Sequence, residues 1–190
     1  MSNQVAVNAS EETIGLGAVA VRFLLTGSDT GGSMSIFEMT VPAGQKIPAP
    51  AHTNDAYEET LYGIEGVLTW TIDGTPFPIG PGQAVCIPRG AVHRFDNFGD
   101  VTAKQLVVVA PAIMGPRYFR EAVELIRGAA GGPPDPQTMA ALFRRHGMTI
   151  SDSGGDVAQV QGVGATDLAK GLAHSRVRAG VGPEVDCDRA

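Results

Sequence analysis

Between Leu16 and Ala110 apolar residues recur in short runs, each closed by Gly, Pro, Asn or Asp. The runs AVAVRFLLTG, SMSIFEMTV, TPFPI, AVCIP, VHRF and TAKQLVVVA predict strands, several alternating apolar and polar positions with the period of two that a half-buried strand requires. The longer run ETLYGIEGVLTWTI is interrupted by Gly63 and Gly66, which suits a sharp bend between strands. Asp73-Gly74 is a two-residue hairpin signal. At Pro111 the period changes. Residues 116–128 predict a helix that starts on Pro116, ends at Gly128 and carries a stripe of Phe119, Val123 and Ile126. A second helix follows, with Asp135 as cap, Pro136 as first residue, Met139, Leu142 and Phe143 inward, and Gly147 as stop. Evenly spaced short strands followed by two helices predict an all-β jelly-roll barrel with both helices packed on it.

This pattern divides the chain into an N-terminal arm (1–15), a barrel (16–112), a helical extension (113–150) and a tail (151–190). The tail has no aromatic residue and no Ile, so it is expected to be disordered, apart from a transient helix in DLAKGLAHSR; His174 there is a poor site candidate. Composition agrees with many tight turns: 25 Gly and 13 Pro in 190 residues. A net charge of −6 with no basic stripe argues against nucleic acid and anionic membranes as partners. The N-terminus has no signal-peptide pattern and no apolar stretch approaches the roughly 20 residues of a membrane span, so a cytoplasmic protein is expected. Cys86 and Cys187 do not form a disulfide framework, and Cys86, inside an apolar strand, is expected to be a buried inert thiol.

The candidate chemistry lies in two blocks. In GQAVCIPRGAVHRFDN, Gly82, Pro88, Gly90, His93 and Asn97 stand at intervals of five, one, two and three intervening residues. Upstream, HTNDAYEETLYGIEG holds His52 and Glu59 and closes on Gly66. Two imidazoles and one carboxylate on strands of one compact barrel form the donor set of a mononuclear metal site with open positions. Strand parity sends Glu58 and Glu59 to opposite faces, the six-residue interval from Glu59 to Gly66 singles out Glu59, and parity places Leu61 with Glu59 and Phe95 with His93. Pro88 and Gly90 build the turn that presents His93, and Asn97 is placed to end its strand with a side-chain-to-backbone bond. His146, at a helix end beside Arg144 and Arg145, reads as a cap without a catalytic role.

These blocks resemble the paired motifs of the cupin superfamily. The second matches at all five positions. The first keeps every interval through His52, Asn54, Glu59 and Gly66, but Asn54 stands where the family usually has a second His. The 15-residue spacer between Gly66 and Gly82 and the segment PPDPQTMAALFRRHG are similar to quercetin 2,3-dioxygenase-like single-domain cupins, a resemblance covering roughly residues 16–149. It implies the cupin double-stranded β-helix and one divalent ion (Fe, Ni, Mn or Zn) on His52, Glu59 and His93, with Asn54 a weak or water-mediated ligand. The Asn54 change either retunes the metal, opens a coordination position, or marks a degenerating site. The resemblance further implies Glu59 as catalytic base and a homodimer sharing sheet edges, and strand parity with the apolar residues around the motifs adds a pocket drawing on Leu61, Phe95, Met39 and Trp70. The expected function is a metal-dependent, dioxygenase-type oxidoreductase acting on an aromatic or enol-containing small molecule. The alternatives are a non-oxidative isomerase or cyclase using the same site, and a non-catalytic small-molecule-binding cupin.

Overall fold

The structure is a computed structural model, which describes residues 5–7, 12–47, 49–129 and 131–151. The expectations for the tail after residue 151, including His174 and Cys187, lie outside the described residues. Eleven strands and two helices follow in the order β1 (Thr13–Leu16), β2 (Val19–Leu25), β3 (Ser35–Val41), β4 (His52–Asn54), β5 (Glu58–Glu65), β6 (Leu68–Ile72), β7 (Thr75–Ile79), β8 (Ala84–Ile87), β9 (His93–Asp96), β10 (Ala103–Ala110), α1 (Pro116–Gly128), α2 (Pro136–Arg145) and β11 (Met148–Ile150). They form two antiparallel sheets, β1-β2-β3-β10-β5-β8 and β11-β4-β9-β6-β7. No helix among the described residues is long and apolar enough to cross a membrane.

Alternation builds the interior. In β2, β3 and β10 every second residue is buried, which turns Val21, Phe23, Phe37, Met39, Val41, Val107 and Val109 into one core. The run ETLYGIEGVLTWTI becomes two strands in different sheets, β5 and β6, joined at Gly66. Two glycines make this crossing possible. Gly66 has φ +60 and a Cβ there would lie 2.5 Å from the Thr102 carbonyl oxygen; at Gly63 a Cβ would lie 2.0 Å from the Gly80 carbonyl oxygen. Side chains cannot fit at either point.

α1 lies on the first sheet, where the Phe119 ring sits 5.7 Å from Phe23 and 5.5 Å from Phe37. Its buried residues are Tyr118, Phe119 and Ala122, whereas Ile126, expected inward, is 38% exposed, because it lies near the end of the helix beyond the sheet contact. α2 is capped by Asp135, whose Oδ2 accepts from Thr138 N at 2.8 Å, and it buries Leu142 and Phe143.

Three expectations need correction. Residues 13–15, assigned to the arm, lie in β1 and pair with β2. The extension is not purely helical: β11 pairs antiparallel with β4, setting Ile150 opposite His52 and Met148 opposite Asn54. Cys86 is exposed rather than buried. Its strand β8 ends the first sheet, so the apolar run AVCI has one covered side and the thiol points out from it.

Candidate functional site

His52 and His93 are direct cross-strand partners on β4 and β9, so their rings stand side by side with centroids 4.4 Å apart. The turn at Pro88–Gly90 sets the second of them. Gly90 has φ +78, its N–H donates to the Asn54 carbonyl at 3.0 Å, and the Val92 N–H donates to Asp73 Oδ1 at 2.9 Å. Asn97 closes β9 by donating from Nδ2 to the carbonyls of Val41, Pro42 and Val101 at 2.9–3.0 Å.

Each histidine is oriented by its own backbone neighbourhood. His52 Nδ1 lies 3.1 Å from the Pro50 carbonyl and His93 Nδ1 lies 2.9 Å from the Ala91 carbonyl. A carbonyl only accepts, so Nδ1 carries the proton in both rings and Nε2 is the atom left for a ligand or a second proton. Carbonyl-tethered imidazoles of this kind are typical of metal-ligating histidines.

Glu59 reaches the pair from β5 in the other sheet and is 6% exposed, while Glu58 points outward and faces Arg89 at 3.5 Å. Glu59 Oε2 is 3.5 Å from His93 Nε2 and accepts from Asn54 Nδ2 at 3.1 Å. Burial pushes the Glu59 carboxyl up, but His93, Asn54 and His52 together hold it below the usual carboxylate range. Burial pulls the His93 imidazole down, yet the Glu59 carboxylate more than offsets this and raises it. His52 behaves oppositely: burial first, then His93, lower it to about 4, so it is a neutral imidazole near pH 7.

The expected site residues therefore fall into two groups. His52, Asn54, Glu59 and His93 are brought together. Leu61, Met39 and Trp70 are buried in the core, with the Trp70 indole N–H donating to Gln105 Oε1 at 2.9 Å. Of the four expected pocket residues, Trp70 has a ring 6.1 Å from that of His93, and Phe95 stacks on Trp70 at 4.7 Å.

The motifs did not reveal the aromatic cover above His52. Phe143 from α2 packs edge-on against the His52 ring at 5.2 Å, and Tyr118 from α1 packs against Phe143 at 6.1 Å and against His146 at 5.3 Å. Tyr57, fully buried, has its hydroxyl 3.6 Å from Met114 Sδ, and burial followed by the Glu59 charge pushes its phenol up. The only sequence signal for this cover was the inward stripe of α2. Nothing in it tied residue 143 to residue 52. His146 caps α2 and its Nε2 lies 3.2 Å from Glu121 Oε2 on α1, which ties the two helices together.

Among the described residues no group of three or more His, Cys, Asp or Glu side chains is gathered closely enough to hold a metal ion. The donor chemistry nevertheless fits one. His93 Nε2 is buried without a hydrogen-bond partner, His52 is neutral, and the Glu59 carboxyl is held in its charged form. His52, Glu59 and His93 are thus the residues whose donor chemistry suits a divalent ion, although their side chains are not drawn together around one. Asn54 presents its N–H to Glu59, and its Oδ1 is buried without a partner.

Residues 37–109 match the family described as Cupin domain. An uncharacterized protein of Methanocaldococcus jannaschii is 32% identical over 96 residues, covering 50% of this chain and 71% of that protein. Polyketide synthase CurC of Streptomyces cyaneus is 32% identical over 92 residues, covering 48% of this chain and 58% of that protein. Quercetin 2,3-dioxygenase of Bacillus subtilis is 27% identical over 99 residues, covering 52% of this chain and 28% of that protein. The chain thus spans under two thirds of CurC and little more than a quarter of the dioxygenase. With two antiparallel sheets, a match to the cupin domain over residues 37–109, and a 32% identical relative covered to 71% of its length, this chain belongs to the cupin superfamily.

Proposed function

We propose that this protein is a divalent-metal-dependent oxidoreductase of the dioxygenase type, acting on an aromatic or enol-containing small molecule. The observation that carries the reading is the pair of carbonyl-tethered imidazoles, His52 and His93, beside the buried carboxylate of Glu59. His52, Glu59 and His93 would hold the ion. When bound, it supplies Lewis acidity toward a deprotonated substrate oxygen. The chain supplies the rest. Glu59, ionised and shielded, accepts the proton of an acidic enol or phenol hydroxyl. Asn54, 3.1 Å from Oε2, steadies the carboxylate charge, while Phe143 and Trp70 set aromatic rings against the two imidazoles. Likeness to a quercetin 2,3-dioxygenase supports both the reaction type and a hydroxylated aromatic substrate.

The test is oxygen consumption by the Fe, Ni and Mn forms with flavonols and β-diketones. Uptake that disappears in Glu59→Gln is expected, and its absence with every metal and substrate would overturn the oxygenase reading. A second reading, isomerisation or cyclisation without oxygen, is favoured by the likeness to polyketide synthase CurC. Full turnover under strict anaerobiosis would establish it instead. The proposal includes a homodimer, because β8 and β7 each end a sheet among the described residues and an edge strand favours pairing with another chain. Light scattering that returns the mass of one chain would remove that part.

A further inference from the structure

The position at which this chain departs from the family motif is also where an interaction unrelated to metal ligation appears. Asn54 is fully buried on β4, with its backbone pinned on both sides: its carbonyl accepts from Gly90 N at 3.0 Å, and its strand pairs with β11 through Met148. Full burial leaves the side chain little room to turn. Its Nδ2 donates to Glu59 Oε2 at 3.1 Å, and its Oδ1 has no hydrogen-bond partner. The orientation of the amide is fixed by this neighbour, since the reversed amide would set a carbonyl oxygen against a carboxylate oxygen. An aliphatic residue would fill the same space without leaving a buried acceptor bare, so the contribution specific to Asn54 is its donor end.

The contact with His93 ends on the same carboxylate oxygen: His93 Nε2 lies 3.5 Å from Oε2. Asn54 thus holds Glu59 by the oxygen that faces His93. We propose that Asn54 is a positioning residue that fixes the Glu59 carboxylate through Oε2 and so keeps that oxygen facing His93 Nε2, where a cation or a substrate hydroxyl would meet it. Asn54 then acts on the site through Glu59 rather than as a ligand. This rests on the metal-dependent reading above for its consequence, but not for the clamp itself.

Two measurements test it separately. In metal-free protein, the side-chain amide resonances of Asn54 are followed by proton–nitrogen correlation spectroscopy. One amide proton should be protected from exchange and shifted downfield, and Glu59→Gln should move it strongly. An unprotected, freely exchanging amide overturns the clamp. The second measurement is calorimetric titration with cobalt(II) on four proteins: the native chain, Asn54→Leu, Glu59→Gln and the double variant. Loss of an orienting neighbour typically weakens metal affinity about 10- to 100-fold. Asn54→Leu should therefore cost about tenfold in the native background and almost nothing once Glu59 is already replaced, because the two effects share one route. An equal loss in both backgrounds would make Asn54 a ligand in its own right and overturn the proposal. A native chain that takes up no cobalt overturns the metal-dependent reading, while the amide resonance still decides the clamp.

Discussion

His52 is held neutral in a place where an unfolded chain would let it charge. Its ordinary value of 6.5 falls to about 4, chiefly by burial and then by His93. Between those two values the unfolded chain binds a proton that the folded chain refuses, so stability must fall as the pH drops through this window. The full cost, reached below pH 4, is at most about 3 kcal/mol for a half-buried ring. Denaturant unfolding of metal-free protein from pH 7 to 4 should show this slope, and His52→Gln should flatten it. An identical slope in both proteins would mean the ring is already solvated. The spacing of His52, Asn54, Glu59 and His93 was legible in the sequence, because strand parity and motif intervals are local rules. The exposure of Cys86 was not, since an apolar strand reads alike at the centre of a sheet and at its edge. The amide contact from Asn54 to Glu59 was not legible either, because residues five apart in sequence meet there from different sheets.

Helices and long strands were readable for the same reason that single residues were: period and caps are written within the element. The bounds of α1 and the Asp135 cap of α2 follow from Pro, Gly and Asp placement alone. β1 and β11 fail that rule: β11 has three residues and exists because the distant β4 receives it, while β1, four residues long, folds back on its neighbour β2 across the turn at Gly17. The crossing from β5 to β6 is the element most sensitive to change. Gly63→Ala should cost about 1–3 kcal/mol in thermal or denaturant unfolding, because the new methyl group meets backbone rather than a yielding side chain. At Gly15 a Cβ meets nothing within 4 Å, so the same substitution there should be nearly neutral. Phe143→Ala should remove about 3–5 kcal/mol of packing. It should also return the His52 titration toward its ordinary value, since the ring covering that imidazole is gone. Proton NMR of His52 reads this directly, and an unmoved titration would assign the burial to other neighbours.

At the scale of the molecule the two helices share one carboxylate beside their ring contacts. Glu121 on α1 is held at about 2 by Arg117 first, then by Arg145 and His146 from the end of α2. A carboxyl lowered on folding stabilises the protein above its unfolded value of 4.5 and loses that contribution as the pH falls toward 2. Glu121→Gln should therefore lower the melting temperature at pH 6 and leave it unchanged near pH 2, a difference that differential scanning calorimetry resolves. A deficit that persists at pH 2 would point to packing instead of charge. The ladder between β11 and β4 reaches further. Ile150 lies opposite His52, and the next residue, Ser151, donates its N–H to the Ala51 carbonyl at 2.9 Å. Load applied to the chain at Ser151 therefore pulls on the strand that carries an imidazole of the site. Load applied at that end should be felt at His52 before it is felt in the rest of the barrel.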